Sequence, residues 1–270
     1  MPIIDAQIHI WSQGTTMPPH RAGLFTAEQA LADMDAAGID GALLHPPSWD
    51  PHANEVALEA VRAYPNRFAI FGQLALDQPE SRKLIDGWKS RPGMLGLRFA
   101  FIRPENQSWP HDGTIDWMWP AAEKAGIPVA LLCGEFLPLV GQKAERHPQL
   151  KLIVDHMATV RGKKGDEAFG NMTELLALAK HPNIAVKLSG GPAYATDGYP
   201  FKSLEKHYRR IYDAFGPKRM FWGTDITRMP CSWRQCITHI TEELHWLSAA
   251  DKDQIMGDAL CDWIGWNRTA

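Results

Sequence analysis

Ile3-Ile4-Asp5-Ala6-Gln7-Ile8-His9-Ile10, then Thr26-Ala27-Glu28-Gln29-Ala30-Leu31, then Gly41-Ala42-Leu43-Leu44 are the three runs whose reading decides the fold. The first is a mostly apolar strand pattern that closes on polar residues. The second has the form of a capping box, with Thr26 three residues ahead of Gln29, and it leads into a helix over Ala30, Leu31 and Met34 that Gly38 stops. The third is apolar throughout, as a parallel strand buried on both faces must be. Together they spell one unit of strand, loop, helix, strand.

The unit recurs. Short apolar runs begin near Ile3, Asp40, Arg67, Met94, Pro128, Lys151, Ile184 and Met220, with amphipathic segments between most of them. A mean interval of roughly 34 residues matches a strand, a helix and two loops repeated around a (β/α)8 barrel. The first strand is not followed by G-x-G-x-x-G, so the commonest dinucleotide-binding form of an open doubly wound sheet is set aside. The sequence therefore predicts an α/β protein, a distorted (β/α)8 TIM barrel closed by a C-terminal helix, with residues 1–270 as a single domain.

Composition agrees with an enzyme-sized core. Hydrophobic residues make up 45% and charged residues 22% of 270, ordinary globular usage. The net charge of -3, from 28 basic and 31 acidic residues interspersed along the chain, offers no basic face to a nucleic acid or an anionic membrane. No apolar run reaches the roughly 18 residues of a membrane span. Cys133, Cys231, Cys236 and Cys261 form no C-x-x-C pair, and the chain opens on an apolar run without a charged n-region, which reads as a cytoplasmic protein.

Reactive groups in a barrel of this kind sit where strands end, so polar residues closing apolar strands are the candidates. They are Gln7 and His9 on one side of strand one, Arg98 after Gly96-Leu97, Asp155-His156 after Ile153-Val154, Lys187 and Ser189 in strand seven, and Asp225 after Gly223-Thr224. Each alone is more simply a cap or a solvated residue, but their shared position favours a site. His147 and His181, each before a proline, fall on the opposite rim and read as structural.

In this order and spacing the chain resembles the amidohydrolase-related family of distorted TIM barrels, the amidohydrolase 2 branch. Ile4 to Trp11 is similar to that family's strand-one Asp-x-His-x-His followed by an aromatic, Asp155-His156 to its strand-six Asp-His, Val186 to Gly190 to its strand-seven signature, and Gly223-Thr224-Asp225 to its strand-eight Gly-x-Asp. Ile255 to Leu260 resembles its terminal helix, with Asp258 where asparagine is common. Two positions depart: Gln7 replaces the first histidine, and strand five closes on Leu132-Cys133-Gly134-Glu135 where metal-dependent members place a histidine.

The resemblance implies a hydrolase similar to the metal-independent lactonases, opening a small carboxylated lactone from aromatic or sugar catabolism. Asp225 is expected to activate water while His9, His156 and the Gln7 amide donate to the carbonyl, and Arg98, Arg103, Lys187 and Arg228 are expected to bind an anionic substrate. No cofactor is expected. If a divalent metal such as zinc is bound, His9 and Asp225 are the expected ligands. The alternatives are a metal-dependent decarboxylase or amide hydrolase of the same superfamily, and a non-catalytic binding protein on the same barrel.

Overall fold

The structure is a computed structural model that describes residues 1–14, 16 and 20–268. Eight strands follow one another around a single parallel sheet: β1 (Ile4–Ile8), β2 (Gly41–Leu44), β3 (Phe68–Gly72), β4 (Met94–Ala100), β5 (Val129–Leu132), β6 (Leu152–Val154), β7 (Ile184–Ser189) and β8 (Met220–Gly223). Each begins within a residue of its predicted start. The strand order β1 to β8 is the (β/α)8 order, and β8 returns to pack beside β1. The Thr26 capping box and the left-handed Gly38 stop (φ 83°) flank the helix Ala27–Ala37 as the sequence predicts. Among the described residues no helix is long and apolar enough to cross a membrane.

Two apolar layers hold the barrel. Outward-facing side chains such as Ile70, Leu131, Val154 and Val186 pack against the helices, all fully buried. Inward-facing Ile4, Ala6, Leu43, Ala69, Phe71, Ala130, Ile153, Ala185 and Phe221 form a separate inner core. The C-terminal helix plugs its floor with Ala259, Leu260 and Ile264. Each fully buried leucine or isoleucine there contributes roughly 1.5–3 kcal/mol. Space in the lumen is rationed by side-chain size: a Cβ on Gly96 would lie 2.3 Å from the Phe71 ring.

The barrel closes by a different device from its other seven junctions. Among the described residues no regular ladder pairs β8 with β1; Asp5 bridges the gap instead. Its Oδ1 accepts from the backbone N–H groups of Gln7 and Thr224, and its Oδ2 accepts from the Thr224 hydroxyl and from Trp233 Nε1. Burial raises its carboxyl to about 6 against those four donors. Asp5 reaches this seam because β1 carries an irregularity: Asp5 pairs with Ala42 but Ile8 with Leu44, one residue more on β1 than on β2. The extra residue resets the alternation, so Ala6 lies in the inner core while Gln7 and His9 also turn inward and Ile8 joins the outer layer.

Candidate active site

Above the apolar floor the lumen turns polar. Lys187 of β7, fully buried, places its ammonium 2.9 Å from each of Gln7 Oε1, His45 Nε2 and Asp155 Oδ1, and the same His45 nitrogen lies 3.1 Å from the Ala6 carbonyl. Asp155 is held from its other side by Arg98 Nε at 2.9 Å. Burial opposes ionisation of Asp155, but Lys187 and Arg98 hold its carboxyl far below the usual range. Burial lowers Lys187 to about 8 against the pull of Asp155. The ammonium contacts Gln7 and His45 at hydrogen-bond distance and pairs by charge with Asp155, which makes this layer a structural cross-brace between β1, β2, β6 and β7.

The reactive layer sits on that brace. His9 Nδ1 donates to the His45 carbonyl at 2.6 Å, which fixes the tautomer and leaves the Nε2 lone pair 3.4 Å from the Gln7 amide nitrogen and 3.4 Å from Asp225 Oδ1. Burial lowers His9 to about 4, so it is neutral near pH 7. His156 packs on the other side of Asp225, its Nε2 3.9 Å from Oδ2 and its Nδ1 2.8 Å from the Ser189 hydroxyl; burial lowers it too to about 4. Burial pushes the Asp225 carboxyl up, but His9, Arg228 and His156 together outweigh it and hold the group below its ordinary value. The Arg228 guanidinium lies 3.6 Å from Oδ2 and also donates to Tyr194 OH.

Backbone strain marks the same residues. Asp225 stands in the left-handed region (φ 58°), as do the consecutive residues His156 (φ 50°), Met157 and Ala158. Such conformations cost about 1–3 kcal/mol for a residue with a side chain, and they persist where the surroundings impose them. Here the Asp225 N–H is held 2.7 Å from the Gln7 carbonyl, tying the turn after β8 to β1.

The predicted residues therefore divide. His9, His156, Asp225 and Arg228 come together around one carboxylate, and Gln7 stands behind His9. Gln7 is fully buried, and its amide is engaged by Lys187 and His9, so it orients His9 and does not face a substrate. Neutral His9 presents a lone pair where a donor was expected. Lys187 is withdrawn from any role as an anion anchor, because its ammonium is buried and paired with Asp155. Arg98 spends only Nε on Asp155, and its two Nη groups have no protein partner among the described residues. Arg103 lies half-exposed on the rim, against the Ser48 carbonyl and Glu105. His147 pairs with Glu123, and the backbone carbonyl of His181 accepts from Arg219.

Sequence reading missed His45 and His20 as members of the assembly, and it singled out Asp155 at the end of strand six without giving it a role. His45 follows the apolar run Gly41–Leu44 directly, so the strand-end rule could have found it. His20 lies in the loop after β1, where no pattern signals it. Its ring packs 4.8 Å from that of Trp49, and its Nδ1 lies 2.8 Å from Thr227 Oγ1 and 4.0 Å from Asp225 Oδ1.

His9, His20 and Asp225 offer ligand atoms within 4.8 Å of one another. Asp225 Oδ1 is buried without a hydrogen-bond donor, and His9 has its far nitrogen on a backbone carbonyl, the usual support of a metal-bound histidine. Two histidines and a carboxylate suit one zinc-like ion with an open position. The donor set thus fits a divalent cation, with His20 added to the two ligands expected from sequence.

A family model described as amidohydrolase matches residues 4–260. The chain belongs to the amidohydrolase family. It is 32% identical over 158 residues to an L-fucono-1,5-lactonase of Burkholderia ambifaria, a match covering 58% of this chain and 54% of that protein. The aligned part is thus about half the length of that relative. An amidohydrolase from Burkholderia multivorans, crystallised with bound zinc, superposes with a TM-score of 0.83 at 18% identity over 98% of this chain and 99% of its own. A probable 2-pyrone-4,6-dicarboxylic acid hydrolase from Acinetobacter baumannii with citric acid bound gives 0.77 at 16% identity, over 98% of this chain and all 100% of its own. Two of these three names carry a substrate, and the two substrates differ.

Proposed function

We propose that this amidohydrolase hydrolyses the ester bond of a small carboxylated lactone. The observation that carries the reading is Asp225: a buried carboxylate held ionised, with Oδ1 free of protein donors and facing the lone pair of a neutral histidine 3.4 Å away. Oδ1 takes one hydrogen of a water, while the His9 lone pair beside it accepts from the Gln7 amide and keeps the ring in place. Asp225 accepts a proton from that water, and the resulting hydroxide attacks the lactone carbonyl carbon. Ser189 donates to His156 Nδ1, leaving the Nε2 proton to bind the developing oxyanion. The tetrahedral intermediate expels the ring oxygen, which takes the proton back from Asp225.

The free Nη groups of Arg98, with Arg228, bind the substrate carboxylate; guanidinium matches that planar anion with paired hydrogen bonds. The lactonase name of the relative from B. ambifaria and the citrate in the A. baumannii structure support a lactone and a small anion. A divalent cation, when bound by His9, His20 and Asp225, supplies a Lewis acid at the same place. The base and the donors belong to the chain itself, and Arg228 competes with any cation for Asp225. Catabolism of aromatic or sugar compounds in the cytoplasm is the setting this chemistry suits.

The test is hydrolysis of carboxylated lactones and their uncharged esters by purified protein, with and without chelator. Ring opening is expected in both conditions, faster for the acids. Activity lost on chelation and restored only by zinc would move the reaction onto the cation, and release of CO2 from a carboxylated ring in place of lactone opening would install the decarboxylase reading.

A further inference from the structure

The loop that follows Asp225 ends in a pair of thiols. Cys231 Sγ lies 3.5 Å from Cys236 Sγ, and neither cysteine is in a disulfide. Local structure explains the contact. Ser232 caps the helix Trp233–Thr238 through a capping box with Gln235, so Cys231 occupies the position before the cap and Cys236 the fourth helical position. Side chains at those two positions pack together as a hydrophobic staple that sets the angle at which a chain enters its helix. Here both halves of the staple are oxidisable.

The two sulfurs differ in access. Cys231 is half-buried and Cys236 buried. The hydrogen bond from Cys236 lowers the Cys231 thiol below its ordinary value, while the same bond and burial raise Cys236. Cys133 is buried just after β5 and Cys261 lies in the C-terminal helix, and neither has a thiol partner among the described residues.

The surroundings give the pair a consequence. Three residues before Cys231 stands Arg228 beside Asp225; two residues after it stands Trp233, whose indole N–H donates to Asp5 at the barrel seam. The Trp222 indole donates to the Cys236 carbonyl, fixing that half of the staple against β8. The segment 226–231 is thus held by Asp225 at one end and by a non-covalent staple at the other.

We propose that Cys231 and Cys236 form a reversible disulfide that closes the β8 loop covalently next to the Asp225 site. With hydrogen peroxide as oxidant, the Cys231 thiolate attacks one peroxide oxygen and releases hydroxide, giving a sulfenic acid. The Cys236 sulfur then displaces water from that sulfur. Two thiols lose two electrons and two protons, and one peroxide becomes two waters.

The experiment treats the full-length reduced protein with hydrogen peroxide, followed by intact mass, peptide mapping and hydrogen exchange. Loss of two hydrogens, a Cys231–Cys236 cross-link, slowed exchange over residues 226–232 and full reversal by dithiothreitol are expected. In Cys236→Ser, the sulfenic acid on Cys231 should be trapped by dimedone, and in Cys231→Ser no cross-link should form. Peroxide that leaves both thiols alkylatable, or that links Cys133 or Cys261 instead, overturns the proposal. These readouts are independent of lactone turnover, so they stand or fall apart from the proposed activity.

Discussion

The ends of β6 and β8 each carry a buried aspartate beside left-handed backbone, at Asp225 itself and at the three residues after Asp155, and the two carboxylates have opposite surroundings. Asp155 meets Lys187 and Arg98 at 2.9 Å each, while Asp225 has its nearest cation at 3.6 Å. Charge compensated at hydrogen-bond distance makes a brace. Charge compensated at longer range suits the base proposed above. The residue type is the same in both, so the difference lies wholly in the cations that neighbouring strands deliver.

The sharpest way to break this comparison is to neutralise each aspartate in turn. Asp225→Asn, nearly isosteric, should lower kcat by about 10²–10⁴ with little change in Tm, since it removes a base and no close ion pair. Asp155→Asn should do the reverse: leaving Lys187 without its counter-ion costs about 3–5 kcal/mol, read as a lower midpoint in urea. Equal effects of both variants on Tm would erase the distinction between brace and base.

Next in size is His156→Phe, which deletes the proposed oxyanion donor and should cost roughly 10²–10³ in kcat with KM little changed. Arg98→Met probes the point where brace and substrate meet. It should raise KM roughly tenfold or more for a carboxylated lactone and far less for the uncharged ester, one charge-assisted pair being worth about 1.5–3 kcal/mol. The same KM increase on both substrates would make Arg98 purely a partner of Asp155.

The smallest expected effects are those of pH. With His9 and His156 lowered to about 4 by burial and Lys187 to about 8, kcat/KM should be flat between those values. It should fall below about 4 as the histidines charge beside Asp225, and above about 8 as Lys187 discharges beside Asp155. Stability follows linkage: the unfolded chain binds more protons than the folded one wherever a histidine titrates near 6.5 unfolded but about 4 folded. Tm should therefore drop as pH is lowered from 6.5 toward 4. Asp5, raised to about 6, opposes this in part, so a Tm that rises over that range would show that its protonation outweighs the histidines.

Much of this molecule was legible in one dimension, for reasons of local physics. Apolar runs on a regular interval, the Thr26 capping box and Gly38 act within a few residues, so they placed eight strands and the first helix. The strand-end rule found His9, His156 and Asp225 because a parallel barrel presents its carboxyl ends on one face whatever the loops do. It misjudged Lys187 and Gln7, since alternation reports which face a side chain takes and says nothing of what it meets there.

What the sequence determined by itself was the barrel, its eight strand starts and the carboxylate at the end of β8. Tertiary structure alone decided the irregularity that sends Asp5 to the seam and Gln7 inward, the meeting of Lys187 with three residues far apart in the chain, and the arrival of His20 beside Asp225. The reason is the range of the forces involved. Hydrophobic periodicity and capping are written in neighbouring residues, whereas the protonation state and partners of a buried charge depend on groups that only closure of the barrel brings within a few ångströms.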